Sequence, residues 1–208
     1  MAFTLKSVKP PLPESGTTSH VIKMLSASAD DFSKIVWPSI SQLSIVGGGK
    51  LQPVEAVSEK NFKDQLDLLA GIDAWHIQAN PSSIRGLASR VQWGQARKTF
   101  TIRTRSKGGG ETELEKRARA IANRENGHLY PHLTVQAYLD KQAGQLLCAA
   151  VIKTTDLIAR ASLLQATMKH NDDRFGCLQN TDGSQFMYIG WQYLLDEQFE
   201  LGILDNAV

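Results

Sequence analysis

Hydrophobic residues recur at spacings of three and four along most of the chain, which is the spacing that keeps one face of an α-helix apolar. Within 19–44, Ser19 can cap such a helix, Pro38 is expected to kink it, and three glycines from Gly47 end it. The same spacing predicts further helices over Ser58–Gly71, from Asn80-Pro81 through Val91 toward Arg97, over Thr112–Asn126, over Pro131–His170 and over 185–200.

Two of these predicted helices carry additional signals. Thr112 and Glu115 form a capping-box pattern, in which each residue can bond the backbone of the other. The stretch from Pro131 to His170 is the candidate for the central core helix, as one helix or as two that are broken near Gly144. A turn is expected at 180–183, because Asn, Thr, Asp and Gly follow one another there.

One segment, near 98–106, departs from the helical spacing. Its residues alternate and several are β-branched, which is typical of a strand or ribbon. Phe100 and Ile102 are predicted to point to one side, and the other side carries Thr99, Thr101, Arg103 and Arg105.

The first 18 residues are predicted to form an extended arm. Pro10, Pro11 and Pro13 favour extended backbone, and no packing period is present. The arm either frays or docks on a neighbouring subunit. The fold class predicted from all these signals is mainly α: one helical core domain over 19–208, a short β-ribbon near 98–106 and an N-terminal arm over 1–18.

Composition places the chain among ordinary globular proteins, with 42% hydrophobic and 21% charged residues in 208. The two cysteines, Cys148 and Cys177, are too few for a disulfide framework and are expected to be reduced and buried. No signal-peptide pattern is visible, and no apolar run approaches the ~20 residues that span a bilayer. These features predict no membrane association and a cytoplasmic location, or a place in the virion if the protein is viral.

The sequence contains no complete motif of catalysis or cofactor binding. Gly47-Gly48-Gly49-Lys50 has the wrong spacing for a phosphate loop, and Leu51 stands where a Ser or Thr is needed. His128 and His132 have a metal-ligand spacing, but Pro131 interrupts the helix they would need. We therefore predict no cofactor, no metal and no enzymatic activity.

Charge, in contrast, is distributed very unevenly. The net charge is only +2, but 81–124 carries eleven basic residues against three acidic ones, and 171–208 carries seven acidic residues against one basic. Arginine predominates among the central bases, and its planar fork suits phosphate oxygens and also stacks on nucleobases. The ordinary alternative is a solvated face with exchangeable ion pairs.

This polarity predicts a self-assembling structural protein, of coat or nucleoprotein type, that holds single-stranded nucleic acid in an arginine-rich groove. RNA is expected rather than DNA, and the basic middle and acidic end could meet between subunits of a homo-oligomer, including a helical one. The residues predicted to bind nucleic acid are Arg85, Arg90, Arg97, Lys98, Arg103, Arg105, Lys107 and Arg117.

Two other classes of function stay open at this point. A protein-interaction or regulatory module could use the same basic face on an acidic partner protein. An enzyme could assemble a dispersed site from distant residues, and its acid-base candidates would be His76, His128, His132 and His170.

Overall fold

The computed structural model describes residues 24–54, 71–79 and 82–206, and within them strands outnumber helices. Nine strands form a six-stranded mixed sheet, here the large sheet, and a three-stranded antiparallel sheet, here the small sheet. The prediction of a mainly α, all-helical core is therefore wrong, and the protein combines α and β structure.

The strands are β1 Lys50–Pro53, β2 Ala74–Ala79, β3 Ser82–Trp93, β4 Thr99–Arg105, β5 Pro131–Leu139, β6 Leu146–Lys153, β7 Phe175–Gln179, β8 Gln185–Gly190 and β9 Leu201–Asp205. The helices are α1 over 24–40, α2 Glu113–Ala122, α3 Thr154–Thr167 and α4 Trp191–Asp196, with a 3₁₀ turn at Arg124–Asn126.

The large sheet has the order β1-β2-β3-β5-β6-β9, and the small sheet has the order β4-β8-β7. Among the strands of the described ranges, only β3 and β5 pair in parallel. Parallel neighbours need a crossover connection, and here β4 and α2 supply it. The chain thus leaves the large sheet after β3, adds β4 to the small sheet, and returns through α2 to β5.

Both faces of the large sheet are covered. One face packs against α1, with buried Val36 and Ile40 lying against Val135 and Val151. The other face packs against α3 and the inner side of the small sheet, through a second set of buried side chains that includes Tyr138, Ile152, Leu157, Phe100 and Met187. The inner side of the small sheet therefore packs on the large sheet, and its outer side lines a cleft.

The wrong helix predictions have one physical cause. Strands β5 and β6 are buried on both faces, so they read as continuous apolar runs without the two-residue alternation of a half-exposed strand. Such a run resembles a buried helix, and only 154–167 of the predicted 131–170 helix is helical. The break predicted near Gly144 is real, but it is the turn between two strands.

Two further predicted helices are strands for similar reasons. In β3, Ile84, Leu87, Ala88 and Val91 have the spacing of one apolar helix face. Leu87, Ala88 and Val91 are buried, but Ile84 is exposed, so the four do not form one buried face. The predicted helix over 185–200 is strand up to Gly190 and helix only over Trp191–Asp196.

Several predictions are confirmed. Strand β4 lies within the predicted ribbon and buries Phe100 and Ile102. Helix α2 begins at the predicted capping box, with the backbone N–H of Glu115 donating to Thr112 Oγ1 at 3.2 Å. The 24–40 part of the first predicted helix is helical, with a π-helical turn at Phe32–Val36 directly before Pro38.

Other predictions fall outside the residues described. These are the arm over 1–18, the body of the helix that begins at Ser58, and the Asn80-Pro81 helix start. Within the described ranges, no helix combines the length and the apolar character needed to cross a bilayer.

Candidate nucleic-acid interface

A cleft opens where the outer side of the small sheet meets the β3–β5 region of the large sheet. Hydrogen bonds join the two sheets at its floor: Thr99 Oγ1 lies 3.0 Å from Tyr138 Oη, and Thr101 Oγ1 donates to Gln136 Oε1 at 3.1 Å. The cleft holds two adjoining cavities, which both reach Val91, Trp93 and Thr101.

The first cavity, here the stacking groove, has a volume of about 650 Å³ and is lined by Trp93, Arg97, Thr99, Phe186 and Tyr188, among others. The second, here the polar pocket, has a volume of about 520 Å³, and its polar lining includes Arg90, Thr101, Glu113, Arg117 and Gln136.

Strand alternation builds the stacking groove. On β8, Met187 and Ile189 point into the core, so Phe186 and Tyr188 between them face outward. On β4, the outward positions are Thr99, Thr101 and Arg103, and Thr101 and Arg103 lie opposite Tyr188 and Phe186 in the strand register. The outer side of the small sheet therefore sets two aromatic rings beside threonine and arginine.

The ring of Tyr188 is held in place. Its hydroxyl donates to the backbone carbonyl of Asp172 at 2.8 Å. Gly176 lies opposite Tyr188 on β7, and a Cβ at that glycine would come within 2.5 Å of the tyrosine oxygen. A glycine is thus needed for this ring position, and partial burial, followed by the carboxylates of Asp173 and Asp172, raises the pKa of the phenol.

Basic side chains border the groove. Arg97 lines it and is exposed, and Arg103 is exposed beside Phe186. Asp182 follows β7 in the turn before β8; its pKa is lowered mainly by the hydroxyl and N–H of Ser184, and also by the positive charges of Lys107 and Arg103. The charge of the groove is therefore mixed: Arg97 and Asp173 line it, and Arg103 and Lys107 lie near Asp182 at one end.

The polar pocket is organised around one carboxylate. Glu113 accepts from Arg90 Nη2 and from Arg117 Nη2, each at 2.9 Å, and from the backbone N–H of Arg103 at 3.1 Å. Burial alone would raise the pKa of Glu113, but Arg117, Arg90 and that N–H together hold it at about 2. The capped first turn of α2 is thereby fixed to β3 and β4.

A chain of hydrogen bonds continues from this carboxylate into the large sheet. Arg90 Nη1 donates to the hydroxyl and the carbonyl of Thr101, at 2.9 and 3.1 Å, and the Thr101 hydroxyl donates in turn to Gln136. Two buried donors of this network have no hydrogen-bond partner among the described residues: Gln136 Nε2 and Arg117 Nε.

The structure divides the eight residues predicted to bind nucleic acid into groups. Arg97 and Arg103 border the groove, and the exposed Arg105 and Lys107 continue along β4 and its following loop. Arg90 and Arg117 lie in the polar pocket, where Glu113 engages both.

The remaining two are placed elsewhere. Lys98 pairs with Asp205 at 2.6 Å, within the same chain. Arg85 lies half-buried on β3 close to His132, whose pKa is lowered by burial and then by the Arg85 charge.

Sequence reasoning missed Phe186, Tyr188 and Gln136 as site residues. The first two were assigned to a helix, although Gln185–Gly190 alternates polar or aromatic residues with apolar ones in the manner of a strand. Gln136 gives no local signal, because a glutamine in an apolar stretch becomes informative only when its neighbours in space are known.

The histidines proposed for a dispersed enzyme site do not converge here. His76 is buried, with Nε2 2.5 Å from the carbonyl oxygen of Gly48, and His132 Nδ1 accepts the N–H of Gly86. No histidine of the described part of the chain lines either cavity, and the same residues contain no cluster of three or more side chains suited to a metal ion.

Both cysteines are free, with Cys148 buried and Cys177 half-buried. Burial raises the pKa of Cys148 to about 11, so this thiol is a core residue without thiolate character.

Comparisons with protein-family models, with curated proteins and with solved structures give no match for this chain.

Proposed function

We propose that this protein binds single-stranded nucleic acid in the stacking groove, with bases on Phe186 and Tyr188 and the backbone near Arg97 and Arg103. The observation that carries the proposal is the outward pairing of aromatic and basic side chains on the small sheet, at the wall of an open groove of about 650 Å³. Antiparallel sheets that present aromatic rings beside basic residues are suited to unstacked bases, since every base has a face that can stack.

A single strand fits this arrangement better than a duplex. In a duplex the base faces are occupied by their neighbours, so Phe186 and Tyr188 would have nothing to stack on. Of the described residues, those lining the groove belong to strands and loops except Met24 of α1, whereas an α-helix is a common reader of the duplex major groove.

The preference for RNA and the self-assembly of coat or nucleoprotein type remain predictions. For assembly, the relevant feature is the polarity between the basic middle and the acidic end of the sequence. The Lys98–Asp205 pair uses one charge from each of these regions within a single chain. Sedimentation with and without oligonucleotide measures the oligomeric state, and so shows whether the basic and acidic regions join subunits.

The test is fluorescence anisotropy with a labelled single-stranded oligonucleotide and with its duplex. Replacing Phe186 with alanine is expected to weaken single-strand binding about tenfold, because one stacking ring is lost. Leu178, which lies opposite Phe186 on β7 and also lines the groove, offers a matched control: Leu178→Ala removes apolar surface but no ring, and a smaller loss is expected.

Two results would contradict the proposal. One is equal affinity for the single strand and the duplex, and the other is equal loss in the Phe186 and Leu178 variants. Binding to an acidic protein without any binding to oligonucleotides would instead support the interaction-module alternative.

A further inference from the structure

The polar pocket contains two buried donors whose hydrogen-bonding capacity is unused. Gln136 is 2% exposed and Arg117 is 6% exposed, and neither Gln136 Nε2 nor Arg117 Nε has a partner among the described residues. A buried donor without an acceptor is unfavourable, so two such donors at one cavity call for an explanation. Both residues line the pocket, which points to an acceptor-bearing ligand.

The charge of the pocket indicates the kind of acceptor. Three basic side chains line it, those of Arg90, Lys116 and Arg117, against the carboxylates of Asp73 and Glu113. Glu113 is shared between two arginines, and Asp73 accepts the N–H of Ser89 at 2.6 Å. Among the described residues, the pocket lining therefore carries one more positive than negative charge, which favours an anion at this partly desolvated site.

Gly71 lies beside the unused nitrogen of Arg117. A Cβ placed on Gly71 would lie 3.5 Å from Arg117 Nε, which is an ordinary van der Waals distance. Gly71 itself lines the pocket and has a φ of +63°, a conformation that favours glycine. The pocket wall next to Arg117 is therefore backbone that carries no side chain.

The pocket adjoins the stacking groove, since both cavities reach Val91, Trp93 and Thr101. A pocket beside a groove can admit the terminal group of a strand. An internal phosphodiester is a poorer fit, because the nucleotides on both of its sides would also have to enter the pocket. A terminal phosphate carries about 1.5–2 negative charges and three acceptor oxygens, which suits two donors and a surplus positive charge.

We infer that the polar pocket binds the terminal phosphate of the strand held in the stacking groove, with Gln136 Nε2 and Arg117 Nε as donors. This inference rests on the proposed function and extends it from general strand binding to recognition of a phosphorylated end. Arg90 and Glu113 act in it as positioning residues, because they orient Arg117 and Gln136 through the hydrogen-bond network.

The experiment compares three versions of one labelled oligonucleotide: with a 5′-phosphate, with a 3′-phosphate, and with hydroxyl groups at both ends. The wild-type protein is expected to bind one phosphorylated version about tenfold more tightly than the hydroxyl version, as charge-assisted hydrogen bonds imply. Inorganic phosphate alone, at constant ionic strength, should reduce that preference without displacing the hydroxyl version.

Gln136→Glu is the informative variant, because it replaces the unused donor by an acceptor and keeps the oxygen that Thr101 bonds. The preference for the phosphorylated end, measured as the ratio of the two affinities in the same variant, should fall below twofold. Gln165→Glu is the matched control: it adds the same charge on an exposed part of α3 that lines neither cavity, and it should keep the preference.

Should the buried Gln136→Glu variant fail to fold, Lys116→Gln provides a second test, since Lys116 lines the pocket and is only half-buried. The preference of the Lys116→Gln variant for the phosphorylated end should also fall. If the wild-type protein binds all three oligonucleotides equally, the inference is overturned and the proposed function stands. If it binds none of them, both are overturned.

Discussion

The arginines of the two cavities belong to one basic stretch of sequence but have different surroundings. Arg97 and Arg103 are exposed beside aromatic rings, whereas Arg90 and Arg117 are engaged by the single carboxylate of Glu113. The guanidinium groups of the first pair face solvent, so they can exchange hydrogen bonds to water for hydrogen bonds to phosphate oxygens. The second pair fixes α2 to β3 through Glu113, so it meets a bound strand only through Arg117 Nε, the donor proposed for a terminal phosphate. A count of basic residues therefore overstates the number that can bind a strand.

The largest expected effect follows from removing the shared carboxylate. Glu113→Gln leaves two partly buried arginines without a counter-charge, and we expect it to lower the free energy of unfolding by about 3 kcal/mol. Arg97→Gln, at an exposed position, should change it by less than about 0.5 kcal/mol. Urea denaturation of both variants measures the contrast, and similar losses in the two would show that the distinction between the pairs is wrong.

The pH dependence of stability sharpens the same contrast. The pKa of Glu113 lies at about 2 in the folded protein, below its ordinary value of 4.5. The contribution of this carboxylate to the free energy of unfolding is therefore complete above pH 4.5 and is lost as the pH falls toward 2. The stability difference between the wild-type protein and Glu113→Gln should therefore shrink over that acid range. A difference that stays constant with pH would show that Glu113 is not held as a carboxylate by its arginines.

Local signals in the sequence predicted some of the fold correctly. The capping box of Thr112 and Glu115 and the alternation around Phe100 are set by neighbours in sequence, and both elements are present. The strands β5 and β6 could not be recognised in the same way, since burial on both faces removes the alternation by which a strand is recognised.

The candidate site was predictable only in part, for a related reason. Arg97 and Arg103 were found because basic residues are conspicuous in sequence. Phe186 and Tyr188 follow them by more than eighty positions and reach Arg103 only through the pairing of β4 with β8. That pairing depends on the tertiary structure, and so does the capture of Arg90 and Arg117 by Glu113.

The central claim is that the exposed arginines of the groove contact the phosphates of a bound strand. Its most direct test is the salt dependence of single-strand affinity for the wild-type protein and for a variant with Arg97, Arg103 and Arg105 all changed to glutamine. Each lost phosphate contact should reduce the slope of log affinity against log salt by about 0.7, so the variant should bind more weakly and with a slope shallower by about 2. An affinity and a slope equal to those of the wild-type protein would contradict the account.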